Sequence, residues 1–119
     1  MYRTLTLTTN QGTDKEVNFL STGTTAYRFK QIFHKDLMPC ITKLTSSGDN
    51  LNPDADLIVA QELAFVMNKQ AEKRDMNTVN MDEYLNWIDE FDSASLFAHI
   101  ADFIKIYTGS KEGTSTSKK

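Results

Sequence analysis

The chain has one cysteine, two prolines and one tryptophan among 119 residues, and each scarcity excludes something. Cys40 has no second cysteine for an internal disulfide, which suits a reducing compartment. Apolar runs are short of the roughly 18 to 20 residues that cross a bilayer, and Met1-Tyr2-Arg3-Thr4 leads into an alternating segment instead of a signal-peptide core. The reading therefore expects neither a membrane nor a secretory route. Basic charge is also scarce: 13 Lys and Arg stand against 16 Asp and Glu, a formal net charge of −3. Binding a polyanion draws on clustered cations, and the nearest approach is Lys69, Lys73 and Arg74, which on a helix read as a solvated edge. There is no Walker loop, G-x-G-x-x-G, C-x-x-C, H-E-x-x-H or G-x-S-x-G, so the common routes to an enzyme are missing. His34 and His99 fall in different predicted helices, and a metal needs three or four converging ligands. The sequence assigns no catalytic, cofactor-binding or metal-binding residue.

What is present is periodicity. From Arg3 to Thr9 the chain alternates, with Leu5 and Leu7 on one face and Thr4, Thr6 and Thr8 on the other. Turn residues Asn10 to Asp14 follow, and Val17 and Phe19 then alternate with Glu16 and Asn18, which predicts a β-hairpin over about 2–21. An isolated hairpin is marginal in water, so these four apolar residues are expected to cover a helical core.

The period then becomes helical. Ala26, Phe29, Ile32, Phe33 and Leu37 share a face, with Thr24 or Thr25 as N-cap. Pro39 belongs in a first helical turn, where its missing N–H matters least, so a break near His34–Asp36 and a new short helix capped by Asp36 are predicted. Asn52-Pro53 reads as a cap followed by proline at the first helical position. The long helix after it runs to about Arg74, with an apolar surface wide enough to be touched from several sides.

Asn80 caps the next helix, with Glu83 placed to reach back to its N–H and Val79 placed to pack on Tyr84. Tyr84, Leu85, Ile88 and Phe91 mark its apolar face, and Trp87 borders it. Asp92 or Ser93 caps a last helix carrying Leu96, Phe97, Ile100, Phe103, Ile104 and Tyr107. Asp82, Glu83, Asp89, Glu90 and Asp92 form an acidic run that lacks the spacing and central glycine of a calcium loop and reads as capping and solvated charge. Met38, Met67, Met76 and Met81 fit an adaptable groove or an ordinary core, with core the reading for Met67. The polar segment 108–119 has no apolar anchor and is expected to be disordered. The result is a single-domain, mostly α-helical α+β protein: a hairpin and about five helices over about 24–107.

Two stretches resemble the tail assembly chaperones of long-tailed (siphovirus-type) phages of Gram-positive bacteria. YRFKQIFHKDLMPCI, Tyr27 to Ile41, is similar to the family's aromatic/basic segment Y-[RK]-x-x-F-G-K-D, with His34 standing where that pattern has glycine. YLNWIDEFDSASLFAHIADFIKIY, Tyr84 to Tyr107, is similar to its W-L-D-x-F-D segment and the amphipathic helix that follows. The resemblance implies a non-enzymatic, self-associating protein of the host bacterial cytoplasm, absent from the mature virion. It would bind the tape measure protein, keep it soluble and promote assembly of the tail tube protein around it. In many members a ribosomal frameshift appends a second domain to a minority of the product, and the adjacent lysines Lys118 and Lys119 are compatible with a slippery run of adenines.

Tyr27, Phe33, Trp87, Phe97 and Tyr107 are the candidate partner contacts, chosen from the aromatic/basic segment and the last two helices. Two readings of other classes compete. One is a small phage or bacterial regulator that binds DNA through the Lys69–Arg74 edge. The other is an enzyme that combines the acidic run with His99.

Overall fold

A computed structural model of the chain describes residues 1–45 and 57–109. The proposed Asn52-Pro53 cap, the turn at 46–49 and the polar tail from Ser110 onward lie outside the described residues.

The alternating segment forms β1 (Tyr2–Thr8) and β2 (Asp14–Leu20), an antiparallel pair in which Leu5 faces Val17 and Arg3 faces Phe19. Gly12 supplies the left-handed conformation the turn needs, φ 84°, a region open to glycine without strain. As the alternation requires, Leu5, Leu7, Val17 and Phe19 are buried together in the core. The hairpin is held at its edge as well. Asp92 N–H donates to the Thr8 carbonyl and Asn10 N–H to the Glu90 carbonyl, both at 2.9 Å, and Thr9 bridges Phe91. Ser95 Oγ accepts from Thr8 N–H at 3.0 Å. Residues 89–92 thus tie down the Thr8–Asn10 end of the two-stranded sheet.

Helix α1 (Thr25–Phe33) buries Thr25, Phe29, Ile32 and Phe33. It ends on His34, whose backbone is left-handed at φ 61°, and the extended Asp36 opens α2 (Leu37–Leu44) with Pro39 in its first turn. The predicted break is there, and proline sits where no N–H bond is lost.

Helix α3 (Ile58–Ala71) is the centre of the molecule, packed against β2, α1 and α2 and against two helices described below. Every residue from Glu62 to Lys69 is buried. A helix so enclosed must settle its polar groups internally. Glu62 meets Lys35 at 2.8 Å, Asn68 donates to the Asn18 carbonyl at 2.9 Å, and Lys69 pairs with Glu72 at 3.3 Å.

After a single 3-10 turn (Met76–Thr78), α4 (Met81–Ile88) begins where expected: Asn80 Oδ1 accepts from Glu83 N–H at 3.0 Å. Glu83 does not reach back to the cap; its carboxylate takes both guanidinium nitrogens of Arg74. The buried stripe also differs from the predicted one. Tyr84, Trp87 and Phe91 are buried and Ile88 is half-buried, while Leu85 is 49% exposed. The large aromatic surface of Trp87, stacked on Phe65 and Phe91, wins the inward position over leucine.

The last predicted helix is two, α5 (Ser93–Ala98), capped by Asp92, and α6 (Ile100–Thr108). His99 separates them and changes the chain's direction, so that α5 meets β1 while α6 packs on α3 and β2. Among the described residues six α-helices therefore stand where about five are expected from sequence. The break also moves the stripe: Leu96, Ile100, Phe103 and Ile104 are buried as expected, Ile106 joins them, and Phe97 is 62% exposed. Among the described residues no helix is long and apolar enough to cross a membrane.

Candidate partner-binding site

The inward stripe of α1 decides what its other face shows. With Phe29, Ile32 and Phe33 turned to the core, Tyr27 is left outside at 64% exposure. In α2 the inward residues are Leu37, Ile41 and Leu44, which leaves Met38 exposed at 50% and Pro39 beside it. The two helices leave between them an open groove of about 370 Å³, lined by Ala26, Tyr27, Leu37, Met38 and Pro39. Tyr107 is not in the lining but touches Met38, its hydroxyl 3.6 Å from Met38 Sδ. Lys30 and Asp36 line the groove too, and they neutralise each other at 2.9 Å.

Arg28 stands over the Tyr27 ring with its guanidinium carbon 5.5 Å from the centroid. Its hydrogen bonds go to neutral amides, Gln31 Oε1 at 3.0 Å and Asn77 Oδ1 at 3.1 Å. Among the described residues Arg28 forms no ion pair, and it does not line the groove. The groove draws on both faces of the two helices: Ala26 and Leu37 belong to the stripe read as inward, whereas Tyr27 and Met38 lie outside it, so periodicity alone does not mark it.

Of the five predicted contact residues, Tyr27 lines this groove, and Tyr107 lies outside the lining but touches Met38. Phe33 and Trp87 are in the core, where Phe33 stacks edge-on against Tyr84 at 5.1 Å and Trp87 lies 5.0 Å from Phe91. Phe97 is exposed on α5, outside the groove lining. Met38 and Met81 are exposed and Met67 and Met76 buried, so the methionines divide between groove, surface and core.

Several of the remaining polar candidates have structural partners. In the acidic run, Glu83 binds Arg74, Glu90 pairs with Lys15 at 3.1 Å and Asp92 caps Ser95 N–H at 3.2 Å. His99 Nδ1 lies 2.9 Å from Asp102 Oδ2 and does not converge with that run. The hydrogen bond to Glu83 raises the Arg74 pKa above its ordinary value, so this guanidinium stays charged throughout the accessible pH range. A second, smaller crevice of about 160 Å³ lies between β2 and α3, walled by Asn68, Lys69, Trp87 and Phe91. Two ion pairs, Lys15–Glu90 and Lys69–Glu72, bound it. Cys40 is half-buried beside the core. Among the described residues no group of His, Cys, Asp and Glu is placed to hold a metal ion.

The chain matches no family model, no curated protein sequence and no solved structure.

Proposed function

We propose that the chain is an interaction domain, without chemistry of its own, that receives helical segments of another protein. Within that class, the resemblance of Tyr27–Ile41 and Tyr84–Tyr107 makes it a phage tail assembly chaperone. It holds the tape measure protein soluble in the host cytoplasm while tail tube subunits assemble around it, self-associates, and leaves before the virion is complete. The observation that carries this reading is the groove between α1 and α2. Its exposed tyrosine and methionine belong to the segment that resembles the family, and adaptable apolar side chains at a surface are what helix capture uses.

A DNA-binding regulator draws less support. Lys69 is buried, pairs with Glu72 and lies over Phe65, and Arg74 is engaged by Glu83. Phosphate contact through Lys69 or Arg74 would have to compete with these pairs, which leaves Lys73 as the exposed cation of that edge.

Co-expression with the tape measure protein encoded in the same genome tests the proposal. Soluble tape measure that co-purifies with this chain, and is insoluble without it, is the expected result. Tape measure that stays insoluble beside both this chain and any frameshifted longer product would overturn it.

A further inference from the structure

Resting only on the self-association in the reading above, we infer that the outer edge of β1, from Tyr2 to Thr6, pairs antiparallel with the same edge of a second copy of this chain. The two hairpins then form one continuous sheet about a two-fold axis at Thr4.

The open groups follow from the register. In an antiparallel pair, residues alternate between those that bond to the neighbouring strand and those whose N–H and C=O point the other way. Met1 and Thr9 bond across the hairpin: the Met1 amino group donates to the Ser21 carbonyl at 2.8 Å, Ser21 N–H returns to the Met1 carbonyl at 2.9 Å, and Thr9 N–H donates to the Thr13 carbonyl at 2.7 Å. Tyr2, Thr4, Thr6 and Thr8 therefore turn their backbone groups outward. Thr8 is already engaged, its carbonyl by Asp92 N–H and its N–H by Ser95 Oγ. Among the described residues nothing bonds to the outward N–H and C=O of Tyr2, Thr4 or Thr6, and all three residues are exposed. Proteins guard such an edge with charge, proline or a bulge. The other edge of the hairpin is guarded: β2 carries Asp14, Lys15 and Glu16, and its Asn18 carbonyl is taken by Asn68. β1 has no proline, pairs with β2 without a bulge, and has Arg3 as its one charge.

The edge also selects its occupant. Donors and acceptors in alternation are met by an extended strand, and a helix has no free backbone groups to offer them. Edges that capture foreign peptides add selectivity through side-chain pockets beside the strand, but no residue of β1 lines either cavity described above. What is left to choose a partner is the strand's own pattern, and that pattern complements itself when inverted. Because Asp92 and Ser95 close the Thr8 end, the symmetric register that uses every open group is centred on Thr4. It sets Thr4 opposite Thr4, and Tyr2 opposite Thr6 of the second copy. Thr–Thr pairs and aromatic–β-branched pairs both stabilise antiparallel sheets. Arg3 falls opposite Leu5 of the second copy, so the one charge of the strand meets no like charge directly across.

Sedimentation of the full chain from micromolar to millimolar concentration should show a dimer, with the amides of Tyr2 and Thr6 exchanging more slowly than in a monomeric variant. Thr4→Pro removes an outward N–H at an edge position where proline leaves the hairpin's own bonds intact, and should weaken the dimer roughly tenfold or more. Thr4→Lys and Thr4→Glu each set like charges face to face at the two-fold axis and should be monomeric alone, whereas an equimolar mixture of the two should dimerise. Circular dichroism checks that each variant is folded, and the Lys/Glu mixture decides the register even if Thr4→Pro does not fold. A native chain that stays monomeric, Thr4→Lys dimerising as readily as the native chain, or a Lys/Glu mixture no more associated than either variant alone would each overturn the inference.

Failure here is separable from failure of the chaperone reading. If the chain dimerises through this edge but leaves the tape measure insoluble, the chaperone reading falls and the edge stands. If the tape measure is held soluble while the Lys/Glu mixture stays monomeric, the edge is refuted and the chaperone reading stands.

Discussion

Tyr27 and Phe33 are aromatic residues of the same helix, both candidates for partner contact, and the structure gives them opposite physical roles. Phe33 is 7% exposed and its ring lies 5.1 Å from Phe29, 5.1 Å from Tyr84 and 6.4 Å from Phe65. Removing it in Phe33→Ala deletes a buried ring and leaves a cavity at the junction of α1, α3 and α4, a change that costs about 3–5 kcal/mol. A domain of this size has about 5–15 kcal/mol of stability in all. With a urea dependence of roughly 2 kcal/mol per molar, the unfolding midpoint should fall by about 2 M. Tyr27, 64% exposed, has little to lose, and Tyr27→Ala should stay within about 0.5 kcal/mol of the native chain. The assay is urea unfolding followed by far-ultraviolet circular dichroism and by the fluorescence of Trp87, whose coincidence also tests two-state behaviour. Equal midpoints for the two variants would refute the burial assignment on which the choice of docking face rests.

Ile106→Ala should cost about 2–5 kcal/mol and Phe97→Ala less than about 0.5 kcal/mol, because the break at His99 turns Ile106 inward and Phe97 outward; parallel thermal melts check the difference. Asn80→Ala removes the acceptor for Glu83 N–H and should destabilise by about 1 kcal/mol, with Asn80→Asp close to native in the same denaturation series. At His34 the backbone is left-handed, which strains a residue with a Cβ by about 1–2 kcal/mol, against about 0.5–1 kcal/mol for glycine's extra freedom in the unfolded chain. His34→Gly should therefore stabilise slightly and His34→Val destabilise, an order that calorimetry can read directly.

The hairpin, the break before Pro39 and the Asn80 cap were all legible because each is written in neighbouring residues: alternation, a missing N–H, a side-chain acceptor at the right offset. The left-handed backbone at His34, φ 61°, does not belong with them, because histidine carries no local mark of that conformation. What sequence could not give was anything settled by competition. Leu85 and Trp87 are both apolar and flank the same turn, and only packing on Phe65 and Phe91 decided which faced in. The greasy stripe from Leu96 to Tyr107 is continuous in sequence and carries no mark of the direction change at His99. The pairing of residues 89–92 with the hairpin edge is made largely by backbone groups, and every residue has those. The candidate site was half visible for the same reason. Tyr27 and Tyr107 come from the aromatic/basic segment and the last amphipathic helix, and periodicity could not say that α1 and α2 would leave a gap between them, nor that Arg28 would find only amides.

The stitching of the hairpin edge bears on the order in which the protein can be made. Thr8 waits for Asp92, Asn10 for Glu90, and Ser21 Oγ for the Ile106 carbonyl. A ribosome adds about 5–20 residues per second, so the first strands spend several seconds outside the exit tunnel before their partners exist. During that interval the hairpin can already cover α3, but the Thr8–Asn10 end of β1 is unpaired. That edge therefore closes late, and a nascent chain stalled before residue 89 would keep it open to pairing with other chains.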